Sequence, residues 1–393
     1  LPASGLRRAV WVLSVTEIIS WGVLYYAFAV LSSDIVDDTG WSHTAVTAAL
    51  SAGLLVSGVV GIVLGRRLDR HGPRRIMTAG SAVASIALVA IATAPTYLAF
   101  LAGWVVAGAA MAGTLYAPAF AALTRWGGSR RVAALTTVTL VAGLASTVFA
   151  PLTAILQTAT DWRVTYLILA ALLAIVTIPL HWWGLNHPWT PGHAVLKSDA
   201  THGHETRTLP FLALMATATI AAFAVYAAII NLVPLLLERG LTATEAAVVL
   251  GVGGIGQVVG RLGYARFDAA TTPVSRLTIT IGAVAITTAL AAAAPASLVI
   301  LFVVSALMGV ARGIFTLIQA TAVSDRWGTA TFGHLNGILT APLLLASALA
   351  PFAGAALADK LGGQGAAFMV LAAAAALAAI PALATGTRRT RHT

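Results

Sequence analysis

Two long apolar segments near the start of the chain are joined by Gly65-Arg66-Arg67-Leu68-Asp69-Arg70-His71-Gly72-Pro73-Arg74-Arg75. Gly65 permits close approach of another helix, and Gly72 followed by Pro73 favours a turn. Asp69 is an acceptor for a neighbouring helix terminus or arginine. The stretch therefore predicts a charged latch between two helices, beside the simpler alternative of a basic loop that only sets membrane topology.

The composition around this stretch is typical of a protein embedded in lipid. The 393 residues are 59% hydrophobic and only 9% charged, a balance too apolar for a water-soluble domain of this length. The absence of cysteine excludes disulfides and thiolate metal sites. The formal net charge is +10, but no nucleic-acid-binding motif accompanies it, so we expect no nucleic-acid partner.

Twelve apolar stretches are long enough to cross the roughly 30 Å hydrocarbon core of a bilayer, which takes about 20 helical residues. We therefore predict an all-α membrane protein with spans at 9–31, 44–64, 76–94, 97–122, 132–156, 163–183, 209–236, 245–263, 276–294, 297–322, 334–357 and 366–384. The first stretch is too long and too aromatic for a signal peptide, and because the chain starts at Leu1 we expect that a native methionine was removed.

The longest loop, 184–208, is polar and divides the spans six and six. It predicts an N-terminal six-helix bundle at 1–183, a cytoplasmic linker, and a C-terminal six-helix bundle at 209–393 that ends in a short basic tail.

The basic residues are distributed unequally between the two sides of the membrane. With a cytoplasmic N-terminus, eighteen of the 23 Lys and Arg lie in the cytoplasm, and only Arg163, Arg239 and Lys360 lie outside. This positive-inside bias predicts that both termini are cytoplasmic. The scarcity of lysine and abundance of alanine are typical of a high-GC bacterial genome, so we expect a bacterial cytoplasmic membrane.

The second half of the sequence repeats the first at an offset close to 200. The matching positions are Tyr26 and Tyr226, Gly40 and Gly240, Asp69 and Asp268, Gly108 and Gly309, Arg125-Trp126-Gly127 and Arg326-Trp327-Gly328, and Ala150-Pro151 and Ala350-Pro351. Six matches in order indicate a duplication. Two related six-helix halves with a binding site between them, near the membrane midplane, are the arrangement of a secondary transporter.

The stretch 65–75 resembles the signature between the second and third helices of the major facilitator superfamily and matches it at every position. The resemblance implies the fold of that superfamily, with 12 transmembrane helices in two pseudo-symmetric six-helix bundles. It also implies a cytoplasmic gate at Gly65, Asp69, Arg70, Gly72, Arg74 and Arg75, with Asp268 in a degenerate second copy that begins at Gly263.

Two departures separate the chain from the proton-coupled drug exporters of this superfamily. Their fourth span carries an arginine where this chain has Trp104, and their fifth span carries paired glycines that are missing between Gly143 and Pro151. The run Trp21-Gly22-Val23-Leu24-Tyr25-Tyr26-Ala27-Phe28 and the embedded Arg261 instead resemble the monocarboxylate-porter-like branch. In that branch such an arginine holds the substrate carboxylate.

Three ionisable side chains, Glu17, Arg261 and Arg312, fall inside predicted spans. Their counterparts in the repeat, Thr217, Ile62 and Met111, are uncharged, so the duplicated fold does not require these charges. Charge within the membrane is expensive, and each of the three is a candidate for a functional role.

Different roles suit the three charges. Arg312, flanked by Gly309 and Gly313, is predicted to bind an anionic substrate group, with a permanent structural pair as the alternative. Arg261 lies nearer the cytoplasm and contacts either substrate or Asp268 in a gate pair. Glu17 is either the carrier of a transported proton or a static partner of one of the arginines.

Polar groups in the spans are further candidates for substrate contact, and helix–helix contact is the alternative for each. They are Tyr25, Tyr26, Tyr116, Tyr226, Asn231, Gln319 and Asn336. Tyr26 and Tyr226 stand out because the repeat relates them and because the superfamily resemblance implies that their spans line the cavity. The pair His202 and His204 in the linker lacks the acids or cysteines of a metal site, so we expect no metal or cofactor.

These observations favour a secondary active transporter that moves a small organic anion, a carboxylate, by proton symport and alternating access. Two embedded positive charges against one negative charge favour an anion. We expect substrate, proton and lipid as partners, with Na⁺ as the alternative coupling ion, and a monomer. The alternatives are a drug or metabolite exporter and a transport-dead sensor. An enzyme is disfavoured because no catalytic constellation falls in a span.

Overall fold

The computed structural model describes residues 1–189, 205–328 and 332–386, and these residues are almost entirely helical. The N-terminal half contains α1 (Ala3–Trp21), α2 (Ala27–Thr39), α3 (His43–His71), α4 (Pro73–Ala92), α5 (Tyr97–Thr114), α6 (Tyr116–Gly127), α7 (Arg131–Ala142), α8 (Ala145–Ala159) and α9 (Trp162–Pro179). The C-terminal half contains α10 (Leu209–Glu238), α11 (Ala243–Ala270), α12 (Pro273–Ala293), α13 (Leu298–Thr321), α14 (Ser324–Trp327), α15 (Phe332–Leu361) and α16 (Gln364–Ala382). The predicted His202 and His204 pair lies outside the described residues.

Within the described ranges, eleven stretches are long and apolar enough to cross a membrane. One of them, Tyr97–Ala159, has 63 residues, far more than the about 20 needed for one crossing. Because the chain turns inside it at Gly128, where φ is +52°, this stretch holds both the fourth and the fifth predicted spans. The total agrees with the twelve predicted crossings.

Three helical segments extend further than hydropathy predicted. The first span covers Ala3–Thr39, α3 continues to His71, and α11 continues to Ala270. The apolar stretch ends where charged residues begin, but backbone hydrogen bonding continues past them. Gly65 to His71 therefore form the last two turns of α3, and only Gly72, with φ of +77°, makes the turn into α4.

Two spans in the N-terminal half are interrupted for identifiable reasons. A π-helical turn, Gly22–Tyr26, joins α1 to α2, and the ring of Phe149 packs directly on Gly22, where a Cβ atom would lie 2.1 Å from the ring. Between α5 and α6, Pro118 lacks the amide hydrogen that an unbroken helix would donate to the Thr114 carbonyl. The chain is extended at Leu115, and the helix restarts at Tyr116.

The sequence repeat appears in the helix packing as two matching backbone contacts. A Cβ atom at Gly108 would lie 1.9 Å from the carbonyl oxygen of Gly53, where α5 crosses α3. A Cβ atom at Gly309 would lie 2.0 Å from the carbonyl oxygen of Gly253, where α13 crosses α11. Small residues allow membrane helices to approach this closely, and here the same device holds each half together.

The contacts between the halves are concentrated away from the Gly65–Arg75 stretch. We call the end of the bundle where α3 meets α4 the motif end, and the end where α2 meets α3 the far end. Polar contacts of the far end and middle are Thr44 with Asp359, His43 with Asn231 at 3.4 Å, the amide of Phe352 with Ser51 at 3.1 Å, and Thr147 with the Gly251 carbonyl at 2.8 Å. These contacts join the halves at the far end and in the middle, beside a cleft of ≈ 470 Å³ at the far end that both halves line.

The crossing of α3 and α5 allows a matched test of this packing. Gly108→Ala should lower the free energy of unfolding by about 1–3 kcal/mol, because the added methyl group overlaps the Gly53 backbone. Gly58→Ala on α3 meets no atom within 4 Å and should stabilise the helix by about 0.5–1 kcal/mol. Thermal unfolding of the detergent-purified variants measures both. Equal melting temperatures for the two variants would contradict the packing described.

Candidate functional site

Glu17 is fully buried near the middle of the first span and has no ionic partner. Neither carboxylate oxygen accepts a hydrogen bond from any described residue, and the ion pairs within the described ranges do not include Glu17. The indole of Trp21 approaches the carboxylate without reaching hydrogen-bond geometry. The static ion pair considered as an alternative is therefore not formed here.

Arg312 lies at the centre of α13 with 7% of its surface exposed. Its Nη2 donates a 2.6 Å hydrogen bond to Oε1 of Gln257 on α11, while its Nε has no partner among the described residues. The flanking glycines do not leave open space beside Arg312. A Cβ atom at Gly313 would lie 2.2 Å from the Gln257 carbonyl, so these glycines bring α11 and its amide side chain against the arginine.

A small cavity inside the C-terminal half lies on one side of Arg312. The other polar groups that line it are Thr287, Thr288 and Ser305. Its volume of ≈ 30 Å³ is enough for about two water molecules and too small for an organic anion. An organic anion therefore does not fit in this cavity beside Arg312.

Arg261 links the two halves on the motif side of the centre. Its Nη1 donates to the Thr139 carbonyl on α7, its Nη2 lies 3.5 Å from Thr316 Oγ1, and its Nε has no partner in the described part of the chain. It also lies beside Tyr116. One nitrogen of the guanidinium thus has no partner within the described residues, while another already bonds the opposite half.

The expected gate pair between Arg261 and Asp268 is wrong. Asp268 instead binds Arg276 at the start of α12, and Arg276 also lies 3.3 Å from Asp325. Seven helical residues separate Arg261 from Asp268, which places them about 10 Å apart along one helix axis. Arg276 is closer because the chain folds back between α11 and α12.

Aromatic rings from two interrupted spans meet beside these charges. The centroid distances are 5.7 Å for Trp21–Tyr25, 5.4 Å for Tyr25–Tyr26, 5.1 Å for Trp21–Tyr116 and 4.8 Å for Tyr116–Phe120. Tyr226 of α10 interacts electrostatically with Tyr26, Arg312 and Arg261. We call Glu17, Trp21, Tyr25, Tyr26, Tyr116, Phe120, Tyr226, Arg261 and Arg312 the central cluster. It unites the predicted tyrosines with all three predicted charges.

Other predicted residues lie outside the central cluster. Asn231 is buried at the far-end interface, where it donates to the Ala227 carbonyl at 2.9 Å and contacts His43. Gln319 is half-buried on α13, about 10 Å along the helix from Arg312. Asn336 is half-buried near the motif end of α15. The sequence analysis did not name Trp21, Phe120 and Gln257 as site residues. For Trp21 a signal was present, because it lies four residues before Tyr25 and therefore on the same helix face.

The predicted gate residues make their contacts within the N-terminal half and the start of the linker. Asp69 lies 3.8 Å from Arg125, whose guanidinium stacks 4.7 Å from the centre of the Trp189 ring. The Trp189 indole donates to the Asp69 carbonyl at 3.0 Å and covers Gly72, where a Cβ atom would lie 2.9 Å away. Trp189 therefore holds the turn, and the sequence did not indicate this role.

The remaining gate residues differ in how they are held. Arg74 donates to the Trp182 carbonyl at 2.6 Å and to Asn186 at 2.9 Å. Arg70 and Arg75 are exposed at the motif end, and Gly65 is half-buried in α3 with no atom within 4 Å of an added Cβ. The contacts described for this motif do not reach the C-terminal half.

Known proteins resemble this chain in sequence pattern and in fold. The sequence model of the Major Facilitator Superfamily matches residues 11–292, well over half of the chain. No curated protein matches it by sequence.

Solved transporter structures share the fold over nearly the whole length. A bacterial homologue of the human lysosomal transporter Spinster, inward-facing and unoccupied, is 16% identical with a TM-score of 0.70, and 98% of this chain and 95% of that chain are covered. The nucleoside transporter NupG is 14% identical with a TM-score of 0.75, covering 96% and 98%. A mutant of NupG is 15% identical with a TM-score of 0.79, covering 97% and 100%. At these identities the likeness concerns the fold alone.

Glu17 has no hydrogen-bond partner among the described residues, whereas Arg312 bonds Gln257, so substitutions of Glu17 and Gln257 should affect stability differently. Glu17→Gln should leave the melting temperature unchanged or higher, because the carboxylate makes no hydrogen bond that the amide would lose. Gln257→Leu should destabilise the protein by about 1–3 kcal/mol, because it leaves Arg312 buried without its acceptor. Thermal unfolding at neutral pH compares them. A loss in Glu17→Gln as large as that in Gln257→Leu would mean that Glu17 is structural.

Proposed function

The chain belongs to the Major Facilitator Superfamily, and from this premise we propose that it is a secondary active transporter of a small organic anion, a carboxylate, driven by proton symport. One observation carries the proposal. Two arginines and one unpartnered carboxylate meet among tyrosines at the interface between the halves, near the middle of their helices. This is where transporters built from repeated halves bind substrate.

The balance of charge in the central cluster supports an anionic substrate. Arg312 and Arg261 contribute two positive charges against one from Glu17, and both guanidinium groups retain an Nε without a partner among the described residues. A carboxylate accepts paired hydrogen bonds from a guanidinium group, and such charged bonds are strong where water is scarce. A substrate carboxylate would satisfy groups that the protein leaves unsatisfied.

Glu17 supports coupling to protons. An ionised carboxylate buried without a partner is strongly disfavoured, so gain or loss of its proton must accompany a change in its surroundings. Rocking of the two halves supplies such a change, because the site faces water on alternate sides. Glu17 would then carry the proton that moves with the substrate.

The arrangement of the interface supports an inward-facing state. The contacts of His43, Thr44 and Ser51 join the halves at the far end and middle, and Arg261 joins them nearer the motif end, whereas the contacts described for the gate motif remain within the N-terminal half and linker. The exposed arginines of the motif end include Arg66, Arg67, Arg70, Arg130 and Arg131. By the positive-inside rule this end faces the cytoplasm, in our proposal that of a bacterium, with both termini on the same side.

Export of hydrophobic drugs is the second candidate, and one observation weighs against it. That function is favoured if Trp104 lines an apolar cavity. Trp104 is instead fully buried and packs edge to face against Phe28, Phe100 and Tyr166 within the N-terminal half.

Ligand binding tests the anion site directly. A carboxylate that binds the folded protein should raise its melting temperature by mass action, and Arg312→Gln should abolish this shift. Arg130→Gln, which removes an exposed arginine with the same change of charge, should retain it. Stabilisation of wild type and Arg312→Gln by hydrophobic cationic drugs, and of neither by carboxylates, would favour the export function.

Proteoliposomes test the role of Glu17. Wild type should accumulate a labelled carboxylate when the outside is more acidic, because proton entry drives uptake. Glu17→Gln should lose this accumulation but retain exchange of labelled for unlabelled substrate, since exchange needs no net proton movement. Gradient-driven accumulation by Glu17→Gln would remove Glu17 from the coupling mechanism.

The orientation is testable because the chain contains no cysteine. Ser129→Cys lies exposed at the motif end, and Ala296→Cys lies exposed at the far end, between α12 and α13. A maleimide that does not cross membranes should label only Ala296→Cys in intact cells and both variants after lysis. Labelling of Ser129→Cys in intact cells would reverse the topology.

A further inference from the structure

We propose that the transported carboxylate carries a flat unsaturated ring, and that Trp21, Tyr116 and Phe120 form the subsite for this ring. The inference rests on the proposed anion site and adds the class of anion. It assigns a substrate-binding role to two residues, Trp21 and Phe120, that have no embedded charge or repeat partner to recommend them.

The geometry of these rings suits a planar guest. Tyr116 and Phe120 are stacked with an interplanar angle of 22° at 4.8 Å, and Trp21 lies 5.1 Å from Tyr116 at 46°. All three are half-buried. The rings around Trp104 in the same half are different, because they meet edge to face at 69° to 88° and Trp104 is fully buried. The first group keeps part of its ring surface accessible, whereas the second is fully buried core packing.

The two interruptions of the spans place these rings together. Pro118 ends α5 and lets α6 start at Tyr116, which puts Tyr116 and Phe120 four residues apart on one face of the new helix. The π-helical turn begins directly after Trp21, and the Phe149 ring packs against its first residue, Gly22. π-Helical turns are frequent at functional sites. Two unrelated irregularities therefore converge on one group of rings.

Unsatisfied polar atoms surround the rings and indicate where the charged end of the ligand lies. Among the described residues, buried donor atoms without a hydrogen-bond partner include Trp21 Nε1, Tyr25 Oη, and Nε of Arg261 and Arg312. Tyr116 lies beside Arg261, and Tyr25 lies beside Arg312. A carboxylate bound to an arginine thus has ring surfaces next to it, and a three-carbon acid would leave those surfaces uncovered.

An aromatic group of side chains next to a carboxylate also suits a quaternary ammonium cation, through cation–π attraction. The two arginines disfavour that ligand, because they place two positive charges beside the rings and Glu17 supplies one negative charge. The cation is therefore kept as a probe in the test.

Four probes separate these possibilities in binding to the purified full chain by thermal shift and calorimetry: benzoate, cyclohexanecarboxylate, lactate and phenyltrimethylammonium. Benzoate and cyclohexanecarboxylate share charge and approximate size but differ in planarity. We expect benzoate to bind about 10-fold more tightly than the other two acids, since ring stacking adds about that factor. Trp21→Leu and Phe120→Leu should each reduce this preference to about 3-fold or less while cyclohexanecarboxylate binding stays within about 2-fold.

Two controls keep the test decisive. Phe302→Leu changes a half-buried ring of α13 outside the central cluster and should retain the preference for benzoate. Phe120→Tyr keeps the ring and should retain it as well, which answers the objection that Phe120→Leu disturbs folding. Loss of preference in Phe302→Leu, or retention in both leucine variants, would overturn the assignment of Trp21 and Phe120.

The outcomes distinguish this inference from the function on which it rests. Equal binding of the three acids would refute the ring subsite and leave the carboxylate transporter standing. Binding of phenyltrimethylammonium alone would refute both. Absence of binding by all four probes would refute the ring subsite as stated, and the transport assay on other carboxylates would then decide the function.

Discussion

The constraint on which this structure depends is the absence of water from the membrane core. Every backbone amide and carbonyl must bond within its own helix, so the chain forms helices wherever it crosses. Apolar side chains then supply little drive for helices to associate, because lipid is equally apolar. Association rests on close fit, and the glycine contacts Gly53–Gly108 and Gly253–Gly309 provide that fit at equivalent places in the two halves.

The same constraint makes polar groups in the centre conspicuous. Elsewhere in the spans, serine and threonine hydroxyls mostly donate to a carbonyl of their own helix, as Thr114, Thr177 and Thr280 do. In the central cluster, Glu17, Trp21 and Tyr25 are left without partners among the described residues, and Arg312 is satisfied only in part. Trp104 and Tyr166 in the core of the N-terminal half also lack partners, so the central cluster is distinguished by the embedded carboxylate of Glu17 and the partly satisfied arginines near it. In the proposed function, a proton and an anionic ligand account for these charged groups.

The sequence was sufficient for the architecture but not for the contacts. Hydropathy placed most helix ends within a few residues and failed where charged residues prolong a helix, as at Arg66 to His71. The repeat and the embedded charges pointed to Tyr26, Tyr226, Glu17 and Arg312 as candidates, because intramembrane charge has few structural uses, and the structure places these residues near one another. The sequence did not predict the partners of these side chains on other helices. The contacts of Gln257 with Arg312 and of Asp268 with Arg276 depend on how α11 packs against α13 and turns into α12, which a linear pattern does not encode.

The indole of Trp189 has a consequence for how the two halves are tethered. This side chain lies six residues into what the sequence marked as the linker, yet it is bonded to Asp69 and seated on the turn at Gly72. The start of the linker is therefore anchored at the turn between α3 and α4 and not at the end of α9. In the proposed transport cycle, a rearrangement of the turn between α3 and α4 would therefore also shift the point at which the chain leaves the N-terminal half.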